Sequence, residues 1–319
     1  MSTALATGLR DAFREIAGAY ADLTGRTVAF APQGLGRHIE PGRLGGYYCD
    51  FRHKALHSDE GMPANTFSEE PPWVIPVAQT ALGYWDLRLD GEDVEGEFLR
   101  LADWLLAGAT PDDAGGVVWR IEVEVPKYGL TPGWVSAMGQ SQAISVLLRA
   151  HALSGRAECL ETARAASRVL HLPVRDGGTQ AAIAGVPVLE EYPTKRPSAV
   201  LNGWIFALFG LHELSLATGD ATAGELFEQS AQGLVELLPR YDTGWWSLYS
   251  LYDHGRPDLA KPFYQRLHPV LLEALDLVRP APALGAYARR WRAQYTRVGM
   301  ARASLDKLAF RVRRGLRPG

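Results

Sequence analysis

Cysteine is scarce. Cys49 and Cys159 are the two in 319 residues, which excludes the disulfide framework of a small secreted domain. Positive charge is not in surplus either: 33 Lys and Arg face 36 Asp and Glu, a net charge of -3, so the chain carries no basic footprint for nucleic acid. No apolar run approaches the roughly 18 residues that span a bilayer. The opening stretch, MSTALATGLRDAFREIAGAY, lacks the apolar core of a signal peptide. A cytoplasmic protein with no membrane span is therefore expected. A phosphate cradle is missing too, because Gly34-Leu35-Gly36 has no third glycine and leads to Pro41 rather than to a helix. Cys49, His53 and His57 have a spacing that would put zinc-ligand types on one helix face. A fourth ligand is not obvious even with Asp59 and Glu60 nearby. The expectation is a half-buried cysteine beside solvated or glycan-contacting histidines, and no metal site is assigned.

What is abundant is apolar and aromatic. Hydrophobic residues make up 47% of the chain, with nine tryptophans and twelve tyrosines, enough for a large core and suited to sugar-stacking clefts. Apolar periodicity predicts an amphipathic helix over 8–22, and strand-like segments follow at 27–31 and 46–51. Helices are predicted at 74–88 and 94–107, and a strand at 117–125. From Trp134 a phrase repeats. An apolar helix over 134–153 stops at Gly155 and is followed by an amphipathic one over 157–170. A second apolar helix over 199–217 stops at Gly219 and is followed by an amphipathic one over 222–238. Further helices are expected near 268–278, 284–297 and 302–314, the last strongly basic. Alternation of buried and amphipathic helices implies a mainly α chain built as an incomplete (α/α) toroid whose inner ring lines a cleft. The predicted division is an N-terminal region with short strands over 1–70 and a helical catalytic domain over 71–319.

The loop EEYPTKRPSAVLNG, Glu190 to Gly203, concentrates charge at the mouth of the second apolar helix. Glu190, Glu191, Tyr192, Lys195 and Arg196 are not all expected in the core, because charges are rarely buried unpaired. Pro193 and Pro197 stiffen the loop, and Ser198 is the expected N-cap of the following helix. A rigid polar loop of this kind suits acid–base groups.

Several phrases then carry a resemblance. GWVSAMGQ (133–140) followed by SQAIS, EEYP (190–193), VLNG (200–203), YDTG (241–244) and FYQRLH (263–268) occur in one order. Together they resemble the C-terminal catalytic domain of the D-glucuronyl C5-epimerases, which convert glucuronate to iduronate in heparan-type polymers. The resemblance covers roughly residues 70–297. It implies an incomplete toroid beside a β-containing N-terminal region. It also implies catalytic roles for Glu191, Tyr192, Tyr249 and Tyr264, and a substrate role for Asn202. Trp134 and Gln140, at the start of the first apolar helix, are further candidates for substrate contact. Two departures stand out. Vertebrate members carry an arginine where this chain has Tyr252, and Lys195-Arg196 replaces an expected Thr-Pro. One of Lys195, Arg196, Arg256 and Arg266 is therefore expected to bind the substrate carboxylate, with His254 a further substitute.

The chemistry wants these residue types. Loss of the C5 proton of a uronate builds enediolate charge on the neighbouring carboxylate, which calls for cations or hydrogen-bond donors. Inversion needs a second acid–base group on the opposite face of the ring. No redox cofactor or metal is demanded. The expected partner is a uronate-containing glycan, and a homodimer is left open. Two other readings fit the same residue types: a polysaccharide lyase that expels the C4 oxygen, and a non-catalytic glycan-binding toroid.

Overall fold

The computed structural model describes residues 31–59, 62–63 and 72–315, with side chains placed through residue 306. The helix expected over 8–22, most of the strand at 27–31, and Glu60 lie outside the described residues. The chain is mainly α, as its periodicity predicts. After a short α1 (Arg52–Leu56) come α2 (Val74–Leu89) and α3 (Glu95–Gly108), α4 (Ala137–Ser154) and α5 (Ala157–Ser167), α6 (Leu201–Thr218) and α7 (Ala221–Leu237), then α8 (Pro262–Val278) and α9 (Pro282–Gln294), with α10 (Arg297–Gly315) at the end. The first members α2, α4, α6 and α8 pack side by side in that order, and each second member packs on the helix before it.

Sequence explains which helix goes where. In α4 and α6 the apolar residues run all round, and nearly every position is buried. In α3, α5 and α7 they form one stripe, and only that stripe is buried. Gly155 and Gly219 end α4 and α6 in the left-handed region, at φ of 72° and 68°, where a side chain would be strained. Ser136 caps α4 by accepting from the Gly139 N–H, and Asp220 caps α7 by accepting from the Ala223 N–H. No helix among the described residues is long and apolar enough to cross a membrane.

The strands are brief antiparallel pairs. The single strand expected over 117–125 is instead two fragments, β2 (Val117–Val118) and β3 (Arg120–Ile121), which pair with β1 (Thr110–Pro111) and β4 (Trp134–Val135) respectively. The interruption has a cause in α4. Gln140 Oε1 accepts from the Trp119 N–H at 3.0 Å, and its Nε2 donates to Val117 C=O at 3.0 Å and Ala166 C=O at 3.1 Å. A side-chain amide thus occupies the place of a neighbouring strand. The strand expected at 46–51 is reduced to one bridge between Leu35 and Cys49. There Tyr47, Tyr48 and Phe51 turn inward onto Phe206 and Phe209 of α6. Two hairpins complete the framework: β5 (Gln180–Ile183) with β6 (Val186–Leu189), and β7 (Leu248–Ser250) with β8 (Asp258–Leu259).

A fully buried ion pair ties α4 to α6. Arg149 Nη1 and Nη2 donate to the two carboxylate oxygens of Glu213 at 2.8 and 2.6 Å, with side-chain exposures of 0% and 2%. Nη2 also donates to Gly45 C=O at 3.2 Å, so the same guanidinium holds the loop before Tyr47. Breaking such a pair strands a charge, which costs about 3–5 kcal/mol, whereas replacing both partners with apolar groups is far cheaper. Arg149→Met and Glu213→Gln are each expected to lower the urea-unfolding free energy by about that amount. The double variant Arg149→Met/Glu213→Leu should recover most of it; a double variant no better than the singles would contradict this account.

Candidate active site

The site is assembled where α4, α6 and α8 begin. The hairpin β5–β6 turns at Ala184-Gly185, both with positive φ, and its last pair joins Gln180 to Leu189. The next residue is pinned on both sides: the Glu190 N–H donates to Thr179 C=O at 2.8 Å, and its C=O accepts from the Ala137 N–H at 3.0 Å. Just beyond the end of β6, the two glutamate side chains go to different partners. Glu190 turns into the protein and accepts from the N–H groups of Ser198 and Ala199 and from the Ser198 hydroxyl. Glu191 turns toward a group of tyrosines.

The EEYPTKR loop therefore splits. Glu190 and Glu191 are buried, at 0% and 6% exposure, while Lys195 and Arg196 stand exposed. Ser198 is not the expected helix cap. Val200 holds the N-cap position of α6 without a side-chain bond, because the Ser198 hydroxyl is taken by the buried carboxylate of Glu190.

Around Glu191 the hydrogen bonds are long. Its Oε2 accepts from Asn202 Nδ2 at 3.2 Å, and its Oε1 faces the Tyr249 hydroxyl at 3.4 Å. Burial pushes the Glu191 carboxyl up to about 7; the hydroxyls of Tyr192 and Tyr249, the Lys127 ammonium and the Asn202 amide pull the other way and offset part of the rise. Burial raises Tyr192 and Tyr249 well above the ordinary phenol value, and the nearby Glu191 charge adds to it, so both are neutral hydroxyls. Tyr264, on the first turn of α8, sets its ring 4.6 Å from that of Tyr249. Tyr192 stacks on Tyr128 at 4.5 Å and meets Trp134 at 5.4 Å. The Trp134 indole N–H is spent on Val123 C=O at 2.8 Å.

Glu191, Tyr192, Asn202, Tyr249, Tyr264 and Trp134 are thus brought together. Others are not. Gln140 is enclosed and committed to backbone groups. Arg256 is turned to Asp306 of α10, and the Arg266 guanidinium lies 5.6 Å from the centroid of the Tyr295 ring. Cys49 is buried with its thiol toward Gln33, the His53 and His57 rings lie 4.1 Å apart and tilted by 40°, and no group of three metal-ligating side chains converges among the described residues. Sequence reasoning missed Lys127, Tyr128 and Asp258. Lys127 Nζ lies 2.7 Å from Asp258 Oδ2 although 131 positions separate them. The phrase KYG before TPGW was the available signal, a cation and an aromatic in a turn.

Residues 112–293 match the family described as D-glucuronyl C5-epimerase C-terminus. A D-glucuronyl C5-epimerase of Caenorhabditis elegans is 35% identical over 213 residues, which are 61% of this chain and 34% of that protein. An uncharacterized protein of Methanocaldococcus jannaschii is 28% identical over 184 residues, 55% of this chain and 57% of its own. The chain thus spans about a third of the length of the first relative and somewhat over half of the second.

Two expectations follow from the packing of Glu191. A methyl group on Gly203 would lie 2.4 Å from Glu191 Cβ and 2.3 Å from its Oε2, so α6 approaches the glutamate as only glycine allows. Gly203→Ala should displace the carboxylate into solvent. Carboxyl-carbon NMR should then find its pKa falling from about 7 toward the usual carboxylate range. A titration that stays near 7 would refute the tight fit. The second concerns stability. A carboxyl raised from 4.5 to about 7 binds its proton more tightly in the native state, so its contribution is full below 4.5 and is lost as pH climbs through 7. Glu191→Gln should therefore reduce the loss of unfolding free energy across this window by up to about 3 kcal/mol, measured by urea titration at each pH.

Proposed function

The chain belongs to the family of the D-glucuronyl C5-epimerase C-terminus, and from that premise we propose that it inverts C5 of a glucuronate residue in a glycan, giving iduronate without a cofactor. The observation that carries the reading is the buried Glu191 carboxylate with its pKa near neutrality, in reach of Tyr249 and Asn202 and beside Tyr264. A base works best when its pKa lies near the operating pH. The reading takes the four helix pairs as an incomplete (α/α) toroid, with residues 71–319 as the catalytic unit.

In this reading Glu191 removes the C5 proton. The electron pair of the C–H bond passes into the adjacent carboxyl group and makes an enediolate. The Tyr249 hydroxyl, held neutral by burial, donates to Glu191 and orients it. Tyr264 delivers a proton to C5 from the opposite face and is left as a phenolate; solvent then reprotonates Tyr264 and takes the proton from Glu191, which restores the starting state. In the reverse direction the roles of Glu191 and Tyr264 exchange. Asn202 fixes the second oxygen of Glu191, and Tyr192 with Trp134 forms an aromatic wall for the sugar.

The test is NMR of C5 in heavy water with heparosan as the first polymer and both epimers as starting material. Wild type is expected to incorporate deuterium and equilibrate the epimers. Tyr264→Phe should abolish net inversion, by about a hundred- to ten-thousand-fold, while leaving slow exchange with retention from one epimer. Glu191→Gln should show the same behaviour from the other. The rate should rise with pH to a half-maximum near 7 as Glu191 loses its proton. Native rates in both variants would overturn the assignment, and appearance of an ultraviolet-absorbing unsaturated uronate would replace it with β-elimination.

A further inference from the structure

Of the cations expected from the sequence, Arg256 pairs with Asp306, Arg266 faces the Tyr295 ring, and Lys195 and Arg196 are exposed; Lys127 stands in the tyrosine cluster. It sits in the turn between Val125 and Leu130, which pair with each other as an antiparallel bridge. Within that turn the Tyr128 N–H donates to Val125 C=O at 2.9 Å. Lys127 Nζ reaches 2.7 Å from Asp258 Oδ2, 4.9 Å from the ring centroid of Tyr249 and 5.0 Å from that of Tyr128. The partner acid is itself held. The Ser250 hydroxyl donates to Asp258 Oδ2 at 2.6 Å, and His254 Nε2 lies 3.8 Å from the same oxygen. Exposure is unequal: 37% of the Lys127 side chain is open to solvent against 9% for Asp258. The ammonium is thus anchored from the protein side and reachable from outside. It carries three N–H donors, of which the Asp258 contact uses one.

Charge gives this arrangement its meaning. Glu191 and Asp258 already place two carboxylates around the cluster. A ligand carboxylate entering beside them is opposed unless a cation offsets it. Tyr128 and Tyr249 present their rings to the ammonium and limit its swing.

We infer that Lys127 binds the carboxylate of the uronate and carries the negative charge that gathers on it as the C5–H bond breaks. The inference rests on the uronate reading of this site. No proton leaves Lys127 in the step. It remains an ammonium and donates N–H bonds to the two carboxyl oxygens, which are more negative in the enediolate than in the ground state. Lys127 therefore acts on turnover as well as on binding.

The experiment compares wild type, Lys127→Met and Lys127→Arg by calorimetric titration with two probes. One is a heparosan oligosaccharide; the other is the same oligosaccharide with its carboxyl groups reduced to alcohols. C5 deuterium incorporation gives kcat and KM in parallel. Wild type is expected to prefer the carboxylate form. Lys127→Met should weaken that form alone, by about ten- to a hundred-fold, and lower kcat as well. Lys127→Arg should keep part of the preference. Equal loss for both probes would mark a structural role and overturn the inference. So would wild-type affinities in Lys127→Met, or a wild type with no preference for the carboxylate. A wild type that favours the carboxylate probe through Lys127 yet incorporates no deuterium would overturn the epimerase reading and uphold the recognition role.

Discussion

Glu190 is fully buried, and its carboxylate accepts from two consecutive backbone N–H groups, those of Ser198 and Ala199. The geometry it holds is not relaxed. Ala199 has φ of 43°, a left-handed conformation that costs a non-glycine residue on the order of 1–3 kcal/mol. The Tyr241 hydroxyl fixes the same turn from the other side by donating to Ala199 C=O at 2.7 Å. Glycine would adopt this backbone freely, but an alanine there must be held by its surroundings. The turn ends where α6 begins, so this one carboxylate sets the distance between the end of β6 and the start of α6. Glu191 is suspended between those two points. Of two adjacent glutamates, one does structural work and the other is left with few strong partners.

The α4–α6 contact supports the same region from below. Gly203 lets α6 press against Glu191, and the Arg149–Glu213 pair locks the two apolar helices further along. Apolar side chains alone would permit sliding and rotation between two helices that are hydrophobic all round. A buried, bidentate charge pair tolerates neither. This gives the polar contact a role in positioning beside a small net contribution to stability, since desolvation offsets much of the Coulomb attraction.

Much of the architecture was legible, for identifiable reasons. The helices follow from apolar periodicity, and Gly155 and Gly219 end theirs as expected. The catalytic candidates Glu191, Tyr249 and Tyr264 were read through phrases that resemble a family, not through periodicity. What stayed hidden had weak or misleading local signals. The β5–β6 hairpin is flanked by alanines and a proline, so its two-residue Ala184-Gly185 turn was the sole strong cue. Gln140 was read as a ligand contact because a polar residue on an apolar helix is conspicuous. Its amide in fact completes a strand edge that the sequence cannot reveal without knowing which backbone lies beside it. The Lys127–Asp258 pair joins two loops far apart in the chain, and neither loop carries a pattern that names the other.

The polarity of the helices has a consequence for the charge that the site can hold. Ser136, Val200 and Lys261 are the N-caps of α4, α6 and α8, and all three helix starts contribute to the neighbourhood of Glu191. Each start carries a partial positive charge from its aligned peptide dipoles. That field fades within about one helical turn and is screened by salt, so it favours negative charge held inside the site and does not reach out to steer an approaching molecule.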